Sequence, residues 1–170
     1  MEVKNVIKAA MFAMMQAFIW IVLPLFSLSE TLNIIDSFEE PMKGVLHNLI
    51  VPNIANMTFA FLVAGFLLVV ASILKSMFKS YELPNLIGKL LSYFSGLYIA
   101  IAILSLGDAL NFGKAVLIGG TSSIGITLIL NFQIFALLLT IVFILKAVNA
   151  VLQFSVSREE LTQKEKVVVL

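Results

Sequence analysis

The chain contains no cysteine and a single histidine in 170 residues. Without a thiol it can form no disulfide, ligate no metal through sulfur and use no cysteine nucleophile. One imidazole, His47, cannot make a bis-histidine haem or a histidine-rich metal centre. No cofactor is therefore expected, and no metal ligands are assigned. Charge is also scarce. Asp, Glu, Lys and Arg make up 12% of the residues, where a soluble domain carries about 25%. The net charge is +1, so no nucleic-acid partner is expected.

Apolar residues fill the space that charge vacates. They amount to 61% of the chain, and mean hydropathy is +1.07, against about 45–50% apolar in soluble domains. This composition marks a polytopic membrane protein whose partner is first of all the lipid bilayer. The pattern predicts an all-α fold, four transmembrane helices in a bundle at about 7–28, 56–76, 86–106 and 124–145. Residues 1–152 form that transmembrane domain, and 153–170 form a polar cytoplasmic tail.

Lys4 and Lys8 ahead of an apolar run imitate a signal peptide. The run Ala9–Leu28 is long for such a signal and no small-x-small site follows, so it reads as a retained first span. Pro24 bends or loosens its last turn. The loop 29–53 holds Glu30, Asp36, Glu39 and Glu40. Within it Pro41 can open a short helix, and Met42, Val45, Leu46, Leu49 and Ile50 follow at helical spacing. A short amphipathic interfacial helix is expected there, ended by Pro52. His47 falls on its polar side, solvated in the plain reading and a pH sensor in the functional one.

The third span carries Gly88, Ser92, Gly96 and Ala100 at four-residue intervals. In lipid, helices associate through close backbone approach across small residues, since acyl chains are as apolar as Leu. This row is expected to be the seam for the other spans, with Ala60 and Ala64 giving the second span a similar face. Between spans three and four, 107–123 contains Asp108, Lys114, Gly119, Gly120, Thr121, Ser122 and Ser123. It reads as a surface connection; the alternative is a segment that re-enters the membrane and lines a watery path. Gln16, Asn131 and Gln133 are uncharged polar residues in spans, suited to interhelical hydrogen bonds or a pore lining. Ser157 and Glu160 have capping-box spacing, so a helix is expected over 158–166.

Four spans with the N-terminus inside place Lys4, Lys8, Lys75, Lys79, Lys89, Lys146, Arg158, Lys164 and Lys166 on the inner side. Only Lys43 and Lys114 lie outside. The positive-inside rule then predicts a multi-pass cell-membrane protein with both termini cytoplasmic. No catalytic constellation appears, because acid–base work in a membrane calls for paired carboxylates or His with a carboxylate. The leading expectation is a non-catalytic membrane subunit, a homo-oligomer or one packed with other transmembrane chains. An oligomeric channel or pore is the alternative, and a lipid- or quinone-dependent enzyme using His47 or Asp108 the third.

Overall fold

A computed structural model of the chain describes residues 3–121 and 124–168. The first helix is continuous and has three parts: α1 (Val3–Ala17), a π-helical turn (Phe18–Val22) and α2 (Leu23–Asp36). Then come α3 (Met42–Met77) and α4 (Leu83–Leu104), followed by a 3-10 turn (Ala109–Asn111). A hairpin of β1 (Lys114–Thr121) and β2 (Ile124–Asn131) leads into α5 (Gln133–Val168). Four helices are long and apolar enough to cross a membrane.

Two prolines lie inside helical stretches, and each has a local accommodation. Pro24 has no N–H to give the Trp20 carbonyl four residues back. The turn before it widens, with Leu23 N donating to Phe18 O, and the helix continues to Asp36. Pro52 likewise sits within α3, where Asn53 Nδ2 donates to Leu49 O at 2.7 Å. That side-chain bond reinforces the turn the proline weakens. The expected end of helix at Pro52 is therefore corrected. Residues 42–51 are the first turns of α3 and not a separate interfacial helix.

The helices pack as sequence neighbours. α3 lies between the first helix and α4, and α5 lies on the other side of α4. In the apolar stretches of the two inner helices 33% and 28% of residues are buried, against 11% in the first and last. The last two therefore offer most of their surface to something other than this chain. Glycines mark the close approaches. A Cβ on Gly65 would meet Trp20 Cβ at 2.8 Å, so α3 rests on the π turn. One on Gly88 would meet Ala71 O at 2.9 Å, and one on Gly96 would meet Phe143 Cε1 at 3.0 Å. A step of four residues turns about 40° around a helix, so the row that faces α3 at Gly88 has wound round to α5 by Gly96. Ala60 and Ala64 are fully buried on α3, whereas Ser92 and Ala100 are half-buried on α4.

These contacts fix relative heights. α4, with 22 residues, spans about 33 Å, close to a hydrocarbon core of about 30 Å. Its C-terminal end closes on Gly107, whose φ is +96° and whose N–H donates to Ala102 O at 2.7 Å. A Cβ there would run into the backbone of Asn56 and Met57. The end of α4 is thus level with Asn56 and Met57, and residues 42–55 of α3 rise beyond it. The turn between α2 and α3 is closed by Lys43 Nζ on Asp36 Oδ1 at 2.9 Å.

The fourth span is also corrected. Residues 124–131 are strand β2, paired antiparallel with β1 from Lys114↔Asn131 to Thr121↔Ile124. They are rich in β-branched residues, which suit a pleated surface. The last helix begins at Gln133 and runs unbroken to Val168, so Ser157 lies inside it and does not start a new helix. Ala136, Phe143, Ala150 and Ser157, seven apart, alternate with Thr140, Ala147, Phe154 and Leu161 as its less exposed side. That is the narrow seam of coiled-coil packing.

Three glycine-to-alanine substitutions should rank in a fixed order. Gly44 faces only the Glu40 side chain, so Gly44→Ala should be neutral or stabilise by about 0.5–1 kcal/mol through helix propensity. Gly88→Ala should cost about 1–3 kcal/mol by forcing α3 and α4 apart. Gly107→Ala combines the same overlap with an unfavourable φ and should cost the most. Unfolding in mixed detergent micelles, followed by circular dichroism, measures all three.

Candidate functional site

The polar groups gather in three places. The first is a cleft of about 410 Å³ between α1 and α3, lined by Lys8, Phe12, Met15, Gln16, Ser72, Lys75 and Ser76. Gln16, picked out by sequence as a mid-span amide, sits here. Its Oε1 is buried and has no hydrogen-bond partner among the described residues. Lys75 Nζ reaches across to α4 and donates to Ser92 Oγ at 2.7 Å. Lys8 Nζ lies 6.0 Å from the Phe12 ring centroid. Among the described residues no acidic side chain lines the cleft. It is therefore a basic, hydroxyl-bearing hollow with one unanswered acceptor.

The second place is the pair of turns that tie α4 to its neighbours. Asn85, buried near the start of α4, donates from Nδ2 to Lys75 O and Phe78 O, both at 2.9 Å. Helix ends leave their last carbonyls without partners, and this amide answers one in the last turn of α3 and that of Phe78 just beyond it. At the other end Asp108 accepts from Leu110 N at 3.1 Å and from Asn111 Nδ2 at 2.7 Å. Buried Ser105 Oγ accepts from Gly113 N at 2.7 Å. Asp108 is thus engaged in shaping the 3-10 turn ahead of the hairpin. Asn131 is corrected from a helix-facing residue to the end of β2, where its Oδ1 accepts from Gln133 N at 3.0 Å and starts α5. Gly119 and Gly120 belong to β1, paired with Ile126 and Gly125; Ser122 and Ser123 lie outside the described residues. His47 is exposed on α3, and no group of three His, Cys, Asp or Glu able to hold a metal exists among the described residues.

The third place was not singled out in the sequence. Because β2 takes the first apolar residues of the expected span, the part of α5 long and apolar enough to cross a membrane lies further toward the C-terminus and takes in Lys146. With Asn149 and Gln153 it recurs at i, i+3 and i+7, which makes one stripe along the helix. All three are exposed, beside the seam that packs on α4. Phe154 and Arg158 line a hollow with Phe78, Tyr81, Glu82 and Pro84, which puts Phe154 level with the polar turn at 78–82. Lys146 is eight residues further into the span, about 12 Å along the axis. Its ammonium lies 5.3 Å from the Phe143 ring centroid and has no hydrogen bond or ion pair among the described residues.

Of the expected site residues, the fold thus brings Gln16 and Ser92 to one polar region through Lys75 and leaves His47, Asp108, Asn131 and Gln133 apart. Asn85 and Lys75 were missed because their partners are backbone and side-chain groups of the neighbouring helix, which no local pattern announces. The Lys146 stripe was legible as spacing but hidden by the misplaced start of the span.

Asn85→Ala should destabilise the chain by about 1–3 kcal/mol, since it leaves two carbonyls at the end of α3 unanswered. Asp108→Asn keeps one acceptor and should cost less, about 0.5–1.5 kcal/mol. Detergent unfolding curves for the two variants provide the comparison.

No family model, curated protein or solved structure matches this chain.

Proposed function

We propose that the protein is a non-catalytic integral membrane subunit that packs with other transmembrane chains or with copies of itself. The observation that supports this reading is the exposed stripe of Lys146, Asn149 and Gln153 on α5. Polar and ionisable groups at membrane depth are costly and ordinarily face protein or a water-filled cavity. This stripe faces neither within its own chain. Amides in such a position act as glue between helices, at about 0.6–2 kcal/mol per bond.

The hairpin supports the same reading from outside the helices. It is a two-stranded sheet with one unpaired edge on each strand. Residues 115–130 carry no charge and no proline, the devices that ordinarily blunt an edge. β1 packs against α3 and buries Ala115, but Val116 and Ile129 stay exposed at 37% and 57%, so part of the hairpin's apolar surface is left uncovered. With Lys146 moved into the span, the other lysines and arginines still lie mostly on one side, which supports insertion in the cell membrane with both termini cytoplasmic.

The cysteine-free chain makes the test clean. Single cysteines at Asn149 and Ile129 in native membranes should form oxidative or short bis-maleimide cross-links to another chain. Cysteines at Phe59 and Phe66, exposed on the apolar surface of α3, should form far fewer. A particle of monomer mass in mild detergent, with cross-linking at Asn149 and Ile129 no greater than at the controls, would defeat the proposal.

A further inference from the structure

We propose that the cleft between α1 and α3 binds the headgroup of an anionic phospholipid that carries a free hydroxyl, of the phosphatidylglycerol kind. Lys8 and Lys75 line one hollow with the hydroxyls of Ser72 and Ser76, and no carboxylate among the described residues answers them there. An ammonium has three donors, and Lys75 spends one on Ser92. The others remain for a phosphate diester, and Lys8 stands in the same wall. The volume, about 410 Å³, admits a headgroup and the first carbons of its chains.

Gln16 narrows the choice. Its buried Oε1 has no partner among the described residues. An acceptor gains nothing from a phosphate oxygen and requires a donor. A glycerol headgroup offers both in one molecule, with its phosphate toward the lysines and its hydroxyl toward Gln16. Phosphatidic acid and inorganic phosphate carry a P–OH when singly protonated, but on the same phosphorus that the lysines would hold, whereas the glycerol hydroxyl reaches Gln16 on a separate arm. Phe12 and Met15 line the same cleft and are exposed at 43% and 48%. They give acyl chains an apolar path out of the hollow, which a soluble phosphate would not use. The height fits as well. Ser72, Lys75 and Ser76 lie in the last turns of α3, beside the polar turn at 78–82, where headgroups meet the hydrocarbon. Basic pockets between spans are suited to anionic headgroups on this side of a membrane.

The full chain, purified in mild detergent and offered equal phosphatidylglycerol, phosphatidic acid and phosphatidylcholine, is read by native mass spectrometry for retained lipid. Phosphatidylglycerol should be retained about tenfold over phosphatidylcholine. Lys8→Ala with Lys75→Ala should abolish that preference. Lys89→Ala, on α4 and outside the cleft, should leave it unchanged. Gln16→Leu should keep the preference for anionic lipid over phosphatidylcholine but erase that for phosphatidylglycerol over phosphatidic acid. Circular dichroism of each variant in phosphatidylcholine discs separates lost binding from lost folding, and a folded double variant is the one that counts. Equal retention of phosphatidylglycerol and phosphatidylcholine by the unaltered chain would overturn the proposal. So would a loss in Lys89→Ala matching the double variant, or equal thermal stabilisation by inorganic phosphate alone.

Discussion

The close approach of α3 and α4 is the constraint on which the rest depends. At Gly88 and at Gly107 the two backbones come so near that a methyl group would not fit. Dispersion falls off steeply with separation, and lipid supplies no hydrophobic force between helices. Contact at backbone distance is therefore the main source of attraction available. Asn85 adds direction by tying the start of α4 to the carbonyls at the end of α3. With both ends tied, the pair forms the centre of the fold. The first helix leans on one side of it at Gly65 and α5 on the other at Gly96.

That arrangement explains why the cleft and the stripe lie where they do. The first helix meets α3 most closely at the π turn, a widened segment set by Pro24. Toward the other end of the interface, Lys8, Gln16, Ser72, Lys75 and Ser76 line the gap between α1 and α3 and make it a polar hollow. On the opposite side α5 touches α4 along a seam of period 3.5. Such a seam covers only a narrow strip of a helix, so residues one step to its side, Lys146 and Asn149 among them, stay uncovered.

The four spans were legible because long apolar runs have few other meanings at this charge content. Most helix ends were less so. Pro52 looked like a stop, yet a proline costs one hydrogen bond, and Asn53 reinforces the turn it weakens. The start of the last span was misjudged for a different reason. The sequence Ile-Gly-Ile-Thr-Leu-Ile-Leu is apolar enough for a membrane helix and β-branched enough for a strand, and short apolar runs do not distinguish the two. Pairing with residues 114–121 decides it, and that partner is visible only in three dimensions. The same limit hid the cleft. Gln16 could be read as a polar residue in a span, but its company of Ser72, Lys75 and Ser76 comes from helix packing.

The displacement of the last span has a consequence for the hairpin. A strand edge exposes N–H and C=O groups in a row, and hydrocarbon can satisfy none of them. Helices α4 and α5 end and begin close to the hairpin, level with Asn56 and Met57 of α3, where residues 42–55 continue past the end of α4. A hairpin placed beyond that level escapes lipid but meets water with an uncharged, apolar surface. Either medium leaves one part of it unsatisfied, its edges in oil or its side chains in water. A protein partner resolves both at once, because it can extend the ladder and cover the apolar face. The hairpin and the α5 stripe lie at different heights and differ in chemistry, and each is incomplete for its own physical reason. Their coincidence in one chain favours assembly over a solitary existence in the bilayer.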